Sequence, residues 1–359
     1  MSISTYNTLV AWGLKPLPGT ELICISGPCA AESEEQVMSI ATSLKAQGIS
    51  ALRAGVWKPR TRPGSFEGMG ATALPWLQRV RRELGMKVAT EIATPAHAEA
   101  ALETGLDILW IGARTTANPF AVQELAEALK GSCVPIFVKN PVNPDLNLWL
   151  GAIERMQRAG LTKVAAILRG FSTQHPGELR NDPAWSLAVD FRQKMPQIPL
   201  LCEPSHIAGR RDKILLLSQQ AIDLDCDGLM VEVHPTPDAA LSDARQQLSP
   251  TDFASLLAHL HPKEHEKAIE NNLKLKALRT QIDELDHELL CTIAKRMETV
   301  QQISLLKQQD NMTALQSQRW NTILTQMRQE GSQLGLPPTL VEEIARLLHQ
   351  QALEIQMRG

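Results

Sequence analysis

The sequence has no long apolar run, no paired cysteines and almost no net charge. None of its hydrophobic stretches approaches the roughly 18 residues that span a bilayer, which excludes a transmembrane class. The opening MSISTYNTLVAWGLKPL lacks a basic region followed by an apolar stretch, so no secretory signal is read there. Lys and Arg number 36 against 39 Asp and Glu, giving a net charge of −3 and a pI of about 6.3. That balance excludes bulk attraction to nucleic acid or to an anionic membrane. The six cysteines, at 24, 29, 133, 202, 226 and 291, form no CxxC pair. A chain of 359 residues needs no covalent staples, so a reduced, cytoplasmic setting without disulfides is expected. Hydrophobic residues make up 43% and charged residues 21%, so there is ample material for a core and disorder is excluded as the main state. The length suggests about two domains.

A change of composition near residue 260 divides the chain. Before it, apolar β-branched runs alternate with stretches of helical period. Strands are expected at 21–27, 49–55, 87–92, 108–113, 135–140, 163–170, 199–205 and 228–235. Near-continuous apolar strands alternating with helices indicate parallel sheet buried on both faces. Eight such units in about 240 residues fit a (β/α)8 TIM barrel of the α/β class better than an open doubly wound sheet. After it, glycine nearly vanishes and one amphipathic pattern runs over 266–309. A second covers 313–333, and a third starts after Leu336-Pro337-Pro338. The expected division is a barrel over 1–258, a linker over 259–267 and an all-α, three-helix domain over 268–359. The first helix would be roughly 65 Å long, too long for a lone 90-residue unit to cover, so a homodimer is expected.

Active sites of such barrels lie at the C-terminal ends of the strands. Those ends carry Cys29, Arg53, Glu91, Arg114, Lys139, Arg169, His206 and Glu232, and the loop after the second strand adds Lys58 and Arg60. Arg53, Lys58, Arg60, Arg114, Lys139 and Arg169 would converge on one mouth. Like charges gathered there repel unless an anion is present, so the ligand should be multiply anionic, with phosphate groups. Cys29, His206, Glu232 and Asp243 form a second set. Thiolate, imidazole and carboxylates suit a divalent metal ion of the Mn, Fe, Co or Zn class.

Residues 20–258 resemble the 3-deoxy-D-arabino-heptulosonate 7-phosphate synthases of the type I beta class, which are related to the 3-deoxy-manno-octulosonate 8-phosphate synthases. The resemblance is carried by GPCA, RAG-x-x-KPRT, IGAR, VKNP, LRGF, EPSHIAG and VEVHP followed by LSD. It implies condensation of phosphoenolpyruvate with erythrose 4-phosphate, an early step toward aromatic amino acids. It implies Cys29, His206, Glu232 and Asp243 as metal ligands and Lys58, Arg114, Lys139 and Arg169 around phosphoenolpyruvate. Arg60 and Thr61 would hold the aldehyde substrate and its phosphate. KPRT favours the four-carbon aldehyde over the octulosonate reaction. Lys58 and a metal-bound water both remain open as the group that activates water.

In the last part, Arg279, Arg296, Lys307 and Arg319 interrupt the amphipathic pattern. Arg296 and Lys307 are three turns apart and share a face, whereas Arg279 is rotated by about 100° and would serve a partner's pocket. LRTQIDELDHELLCTIAKRMETVQQISLLK resembles the first helix of the all-helical chorismate mutases, a likeness covering 268–357. It implies that Arg279, Arg296, Lys307, Arg319 and Gln356 surround chorismate and promote its rearrangement to prephenate. Gln316, Trp320 and Ala352 depart from that family's acidic residue, Glu and Ser. A domain that only senses chorismate or prephenate and regulates the barrel is the alternative, and feedback by prephenate is expected.

Overall fold

The computed structural model describes residues 5–60, 64–173, 177–261, 273–310, 312–313 and 317–358. The chain divides into two compact units, 1–263 and 264–359, each described by itself below.

The first unit is a closed barrel of eight parallel strands in sequence order. They are β1 (Ile23–Gly27), β2 (Ala51–Arg53), β3 (Lys87–Ile92), β4 (Ile108–Ile111), β5 (Ile136–Lys139), β6 (Val164–Leu168), β7 (Leu200–Cys202) and β8 (Gly228–Glu232). β8 pairs with β1 and closes the ring. Several strands are shorter than their apolar runs, because the chain leaves the ladder early to build the rim. Helical turns begin directly after β4 (Ala113–Thr116) and β7 (Pro204–Ala208). Five of the barrel's described helices start at side-chain caps: Ser33, Thr94, Asn118, Asp145 and Ser249 each accept a backbone N–H of the first turn.

Two apolar layers result. The outer one lies between strands and helices and includes Val37, Leu77, Leu125, Trp149 and Phe191. The inner one fills the barrel with Ile23, Ile25, Ala51, Ala89, Ile108, Trp110, Phe137, Ile167, Leu201 and Met230. Leu9 and Leu14, on and after the helix Thr5–Ala11, join this inner layer. Thr5 Oγ1 donates to Asp227 Oδ1 at 2.5 Å, just before β8 begins, which seats that helix at the N-terminal end of the barrel.

Among its described residues the second unit has three helices, Leu273–Gln309, Ser317–Gln333 and Pro338–Arg358. Residues 266–272, the start of the expected long helix, lie outside the described residues. Val300, Val341, Ala345 and Ala352 are buried. Leu278, Ile282, Leu285 and Leu289 are spaced for one face of the first helix yet are 57%, 56%, 62% and 58% exposed. Among the described residues no helix is long and apolar enough to cross a membrane.

Candidate functional site

Strand periodicity builds the barrel site. Side chains two apart point to the same side of a strand. Stepping two positions on from six of the inner apolar residues gives Arg53 after Ala51, Glu91 after Ala89, Lys139 after Phe137, Arg169 after Ile167, Glu203 after Leu201 and Glu232 after Met230. The apolar plug therefore changes into a charged layer one step toward the C-terminal rim. Trp110 is the floor between them: the Arg53 guanidinium and the Lys139 ammonium lie 5.0 and 5.3 Å from its ring centre. Its indole N–H donates to Glu91 Oε2 at 2.9 Å. Close approach at the rim demands glycine at Gly27, where a Cβ would run into the Arg53 carbonyl.

The four residues expected to share a metal ion come together as two overlapping groups. Cys29, Glu232 and Asp243 form one and Glu203, His206 and Glu232 the other; within each, the donor atoms lie within 4.8 Å of one another. Cys29 Sγ is 3.3 Å from Asp243 Oδ2, and His206 Nε2 is 3.8 Å from that same oxygen. His206 Nδ1 is 3.7 Å from Glu232 Oε1. His206 Nδ1 also lies 3.1 Å from Glu203 Oε1, which leaves Nε2 as the ring nitrogen facing Asp243. A thiol, an imidazole nitrogen and two carboxylates, all buried or half-buried, are the donor set that suits a divalent transition ion, so the residues fit the group. Burial pushes the Cys29 thiol up to about 12, with Glu232 adding and Lys58 opposing. Burial also lowers His206, against the pull of Glu203 and Glu232.

Glu203 was not among the residues singled out in the sequence. It is fully buried and holds both strand-end cations. Arg53 pairs with it through NH1, and Lys139 Nζ reaches its two oxygens at 2.9 and 2.8 Å. Burial alone would raise its pKa, but His206, Lys139 and Arg53 together hold it well below the carboxylate range. The other face of Arg53 meets Glu232 at 3.1 Å. The signal for Glu203 was present in PLLCEP: it falls on the inward register two residues past Leu201.

Of the remaining expected cations, Lys58 and Arg169 reach the same rim. Lys58 Nζ lies 3.0 Å from Cys29 Sγ and 3.1 Å from the Cys29 carbonyl. The Arg169 guanidinium donates to Asn181 Oδ1 at 3.0 Å, and its backbone N–H donates to Asn140 Oδ1 at 2.7 Å. Burial, opposed by Glu203 and reinforced by the charges of Arg180 and Arg114, lowers Arg169 to about 10. Arg114 itself is exposed. Arg60 Nε donates to the Phe66 carbonyl at 2.8 Å, which folds its loop back on itself. Thr61 lies outside the described residues.

In the helical unit, Lys307 Nζ donates to Gln356 Oε1 at 3.0 Å, and Arg296 NH1 donates to the Leu348 carbonyl at 3.1 Å. Two of the three expected cations of the first helix thus meet the third helix. Trp320 stacks on His349, ring centres 4.1 Å apart. Arg319 is exposed one residue before Trp320, and Arg279 is exposed 17 positions before Arg296, about 25 Å along the helix. The chain therefore brings Arg296, Lys307 and Gln356 to one helix pair and leaves Arg279 apart. Ala352 is buried, and Gln316 lies outside the described residues.

A closed parallel barrel with buried charges and a thiol, imidazole and carboxylate cluster gathered at its C-terminal rim has the layout of a barrel enzyme. Residues 17–269 match the DAHP synthetase I family, and 278–357 match chorismate mutase type II. The chain belongs to the DAHP synthetase I family. It is an enzyme with two catalytic domains, a 3-deoxy-7-phosphoheptulonate synthase barrel and a chorismate mutase. The phospho-2-dehydro-3-deoxyheptonate aldolase of Thermotoga maritima is 35% identical over 240 residues, 66% of this chain and 68% of that one. A 2-dehydro-3-deoxyphosphooctonate aldolase of Desulfotalea psychrophila is 30% identical over 267 residues, 67% of this chain and 89% of that one. The crystal structure of the Thermotoga maritima aldolase (DAHP synthase) superposes with a TM-score of 0.59 at 32% identity, covering 66% of this chain and 67% of that one.

Proposed function

We propose that the barrel condenses phosphoenolpyruvate with erythrose 4-phosphate, releasing 3-deoxy-D-arabino-heptulosonate 7-phosphate and phosphate, and that the helical domain converts chorismate to prephenate. The observation that carries the first half is the shared rim on which Cys29, His206, Glu232 and Asp243 adjoin Arg53, Lys58, Lys139 and Arg169. Phosphoenolpyruvate carries about three negative charges and the sugar phosphate about two, so both must be neutralised before a C–C bond can form. Lys58, Arg114, Lys139 and Arg169 hold phosphoenolpyruvate, and Arg60 and Thr61 hold the aldehyde and its phosphate. Glu203 keeps Arg53 and Lys139 aimed inward. A divalent ion of the Mn, Fe, Co or Zn class, held by Cys29, His206, Glu232 and Asp243, supplies Lewis-acid polarisation of the aldehyde oxygen. The enol carbon attacks the aldehyde carbon, water adds at the carbon left cationic, and its bond to phosphate oxygen breaks. Lys58, beside Cys29, is one group placed to handle the proton.

In the helical domain no nucleophile is needed. Arg296 and Lys307 balance the carboxylates and the ether oxygen, with Gln356 beside Lys307, while the ligand is held compact. Arg279 and Arg319 complete the cationic set. The exposed stripe Leu278, Ile282, Leu285 and Leu289 supports a homodimer that covers it and brings Arg279 to the partner's pocket. Prephenate acts as a feedback inhibitor of the cytoplasmic condensation. Trp320 in place of Glu favours a second reading, a domain that binds chorismate or prephenate without turning it over.

The test is an assay of the purified chain with each substrate pair, with and without a chelator and prephenate. Condensation abolished by chelator and restored by metal, together with chorismate loss that Arg296→Ala lowers about 10²-fold or more, is expected. Turnover only with a five-carbon aldehyde phosphate would favour the octulosonate reaction. No chorismate conversion, with condensation still altered by prephenate, would leave a sensor. If prephenate neither binds nor inhibits, the feedback reading fails.

A further inference from the structure

The segment that supplies Asp243 also grips two other residues of the metal-type cluster. Asp243 has left-handed backbone, φ 48 and ψ 35, and a 3-10 turn follows over Ala244–Gln246. Gln246 Nε2 donates to Glu232 Oε2 at 2.7 Å, while Oε1 faces Arg53 NH2 at 3.1 Å and His206 Nδ1 at 3.7 Å. Gln246 Oε1 accepts from Arg180 NH1 at 2.6 Å, and the same guanidinium nitrogen bonds Asp243 Oδ1 at 3.1 Å. Gln247 Oε1 accepts from the Cys29 backbone N–H at 2.9 Å, while its Nε2 donates to the Ser242 carbonyl at 2.8 Å. The partners fix both amide orientations, since a carboxylate or carbonyl needs the NH2 end and an N–H needs the oxygen. Gln247 is 0% exposed and Gln246 1%, so removing either leaves buried polar groups unpaired. Cys29 and Asp243 are 214 positions apart, and one Gln247 side chain bridges the backbone at Cys29 and the residue before Asp243.

We infer that Gln246 and Gln247 are positioning residues for the ion: Gln247 sets the spacing of Cys29 from Asp243, and Gln246 fixes the Glu232 carboxylate so that Oε1 stays turned toward His206. This rests on the metal-binding reading above. Groups that orient ligands rather than bind the ion typically change affinity about 10–100-fold when removed.

The experiment strips the full-length protein with chelator and titrates it with Mn2+ and Co2+. Free Mn2+ is read by electron spin resonance, and the thiolate-to-cobalt charge-transfer band reports sulfur ligation. Gln247→Leu and the near-isosteric Gln247→Met should weaken Mn2+ binding about 10–100-fold and shrink the cobalt–sulfur band. Gln246→Leu should weaken Mn2+ binding over the same range but keep the band, because its bond is to Glu232. Affinity within about twofold of wild type for the folded Gln247 variants, with a full band, overturns the inference for Gln247; the same affinity for Gln246→Leu overturns it for Gln246. A thermal melt of the metal-free forms separates misfolding from lost affinity, and Gln246→Leu decides if neither Gln247 variant folds. Wild type that binds no ion would instead defeat the metal-binding reading itself.

Discussion

In the barrel, Arg53, Lys139, Glu203 and Glu232 are buried and bound to one another, whereas in the helical unit Arg279 and Arg319 are exposed and four large apolar side chains of one stripe face outward. Taking charges out of water is costly, and breaking a buried pair costs more than the pair contributes. The barrel meets that cost with counter-charges drawn from its own strands, so its site is assembled within one copy of the fold. The helical unit brings Arg296, Lys307 and Gln356 together but leaves Arg279 a third of the way round and far along the helix. An exposed apolar stripe of this kind marks a surface that is covered in use. The homodimer proposed above would complete the helical site with Arg279 of a second copy, whereas the barrel's buried charges are paired within one chain.

The strongest way to break the comparison is Cys29→Ala. It should reduce metal binding and condensation together by at least about 10²-fold while leaving chorismate turnover intact, measured by metal analysis and the two assays. Retained metal-dependent condensation would remove Cys29 from the ligand set and with it the contrast in donor chemistry. The next test is Leu285→Asp in the stripe. Sedimentation should shift from about twice the 39.6 kDa chain mass toward one chain, and mutase activity should fall with it while the barrel's chemistry persists. Unchanged mass would mean that the stripe does not hold a dimer. The smallest effect concerns His349, which faces Arg296 and Lys307 from the first helix and Trp320 from the second. Burial first, then those two charges, lower its pKa. The folded form therefore takes up a proton less readily than the unfolded form, and stability falls as pH drops through about 6.5. Melting of the full chain at about pH 7.5 and 5.5 should differ by no more than about 2 °C from this source, and His349→Gln should remove that part of the difference.

Much of the barrel was legible because strand alternation and helix period are local properties. ILWIGA and KVATEI announce buried strands, and the cation at each strand end is visible in LRAG, VKNP and LRGF. Glu203 was less so. It stands between a strand and a short helix in EPSH, where attention falls on the histidine, and its importance lies in holding Arg53 from a strand 150 positions away. Gln246 and Gln247 carry no chemistry of their own and gain meaning only from the groups they bond. In the helical unit, Arg296 and Lys307 were readable from spacing, but the stack of Trp320 on His349 was not, since it joins two helices.

By itself, the sequence determined the elements, their parallel order and the inventory of charges, because hydrophobic period and chain direction act over a few residues at a time. Only the tertiary structure decided which charges pair. Closing the barrel brings β2, β5, β7 and β8 to one rim, and at distances near 3 Å the partner of each buried group is set by geometry that no short stretch of chain contains.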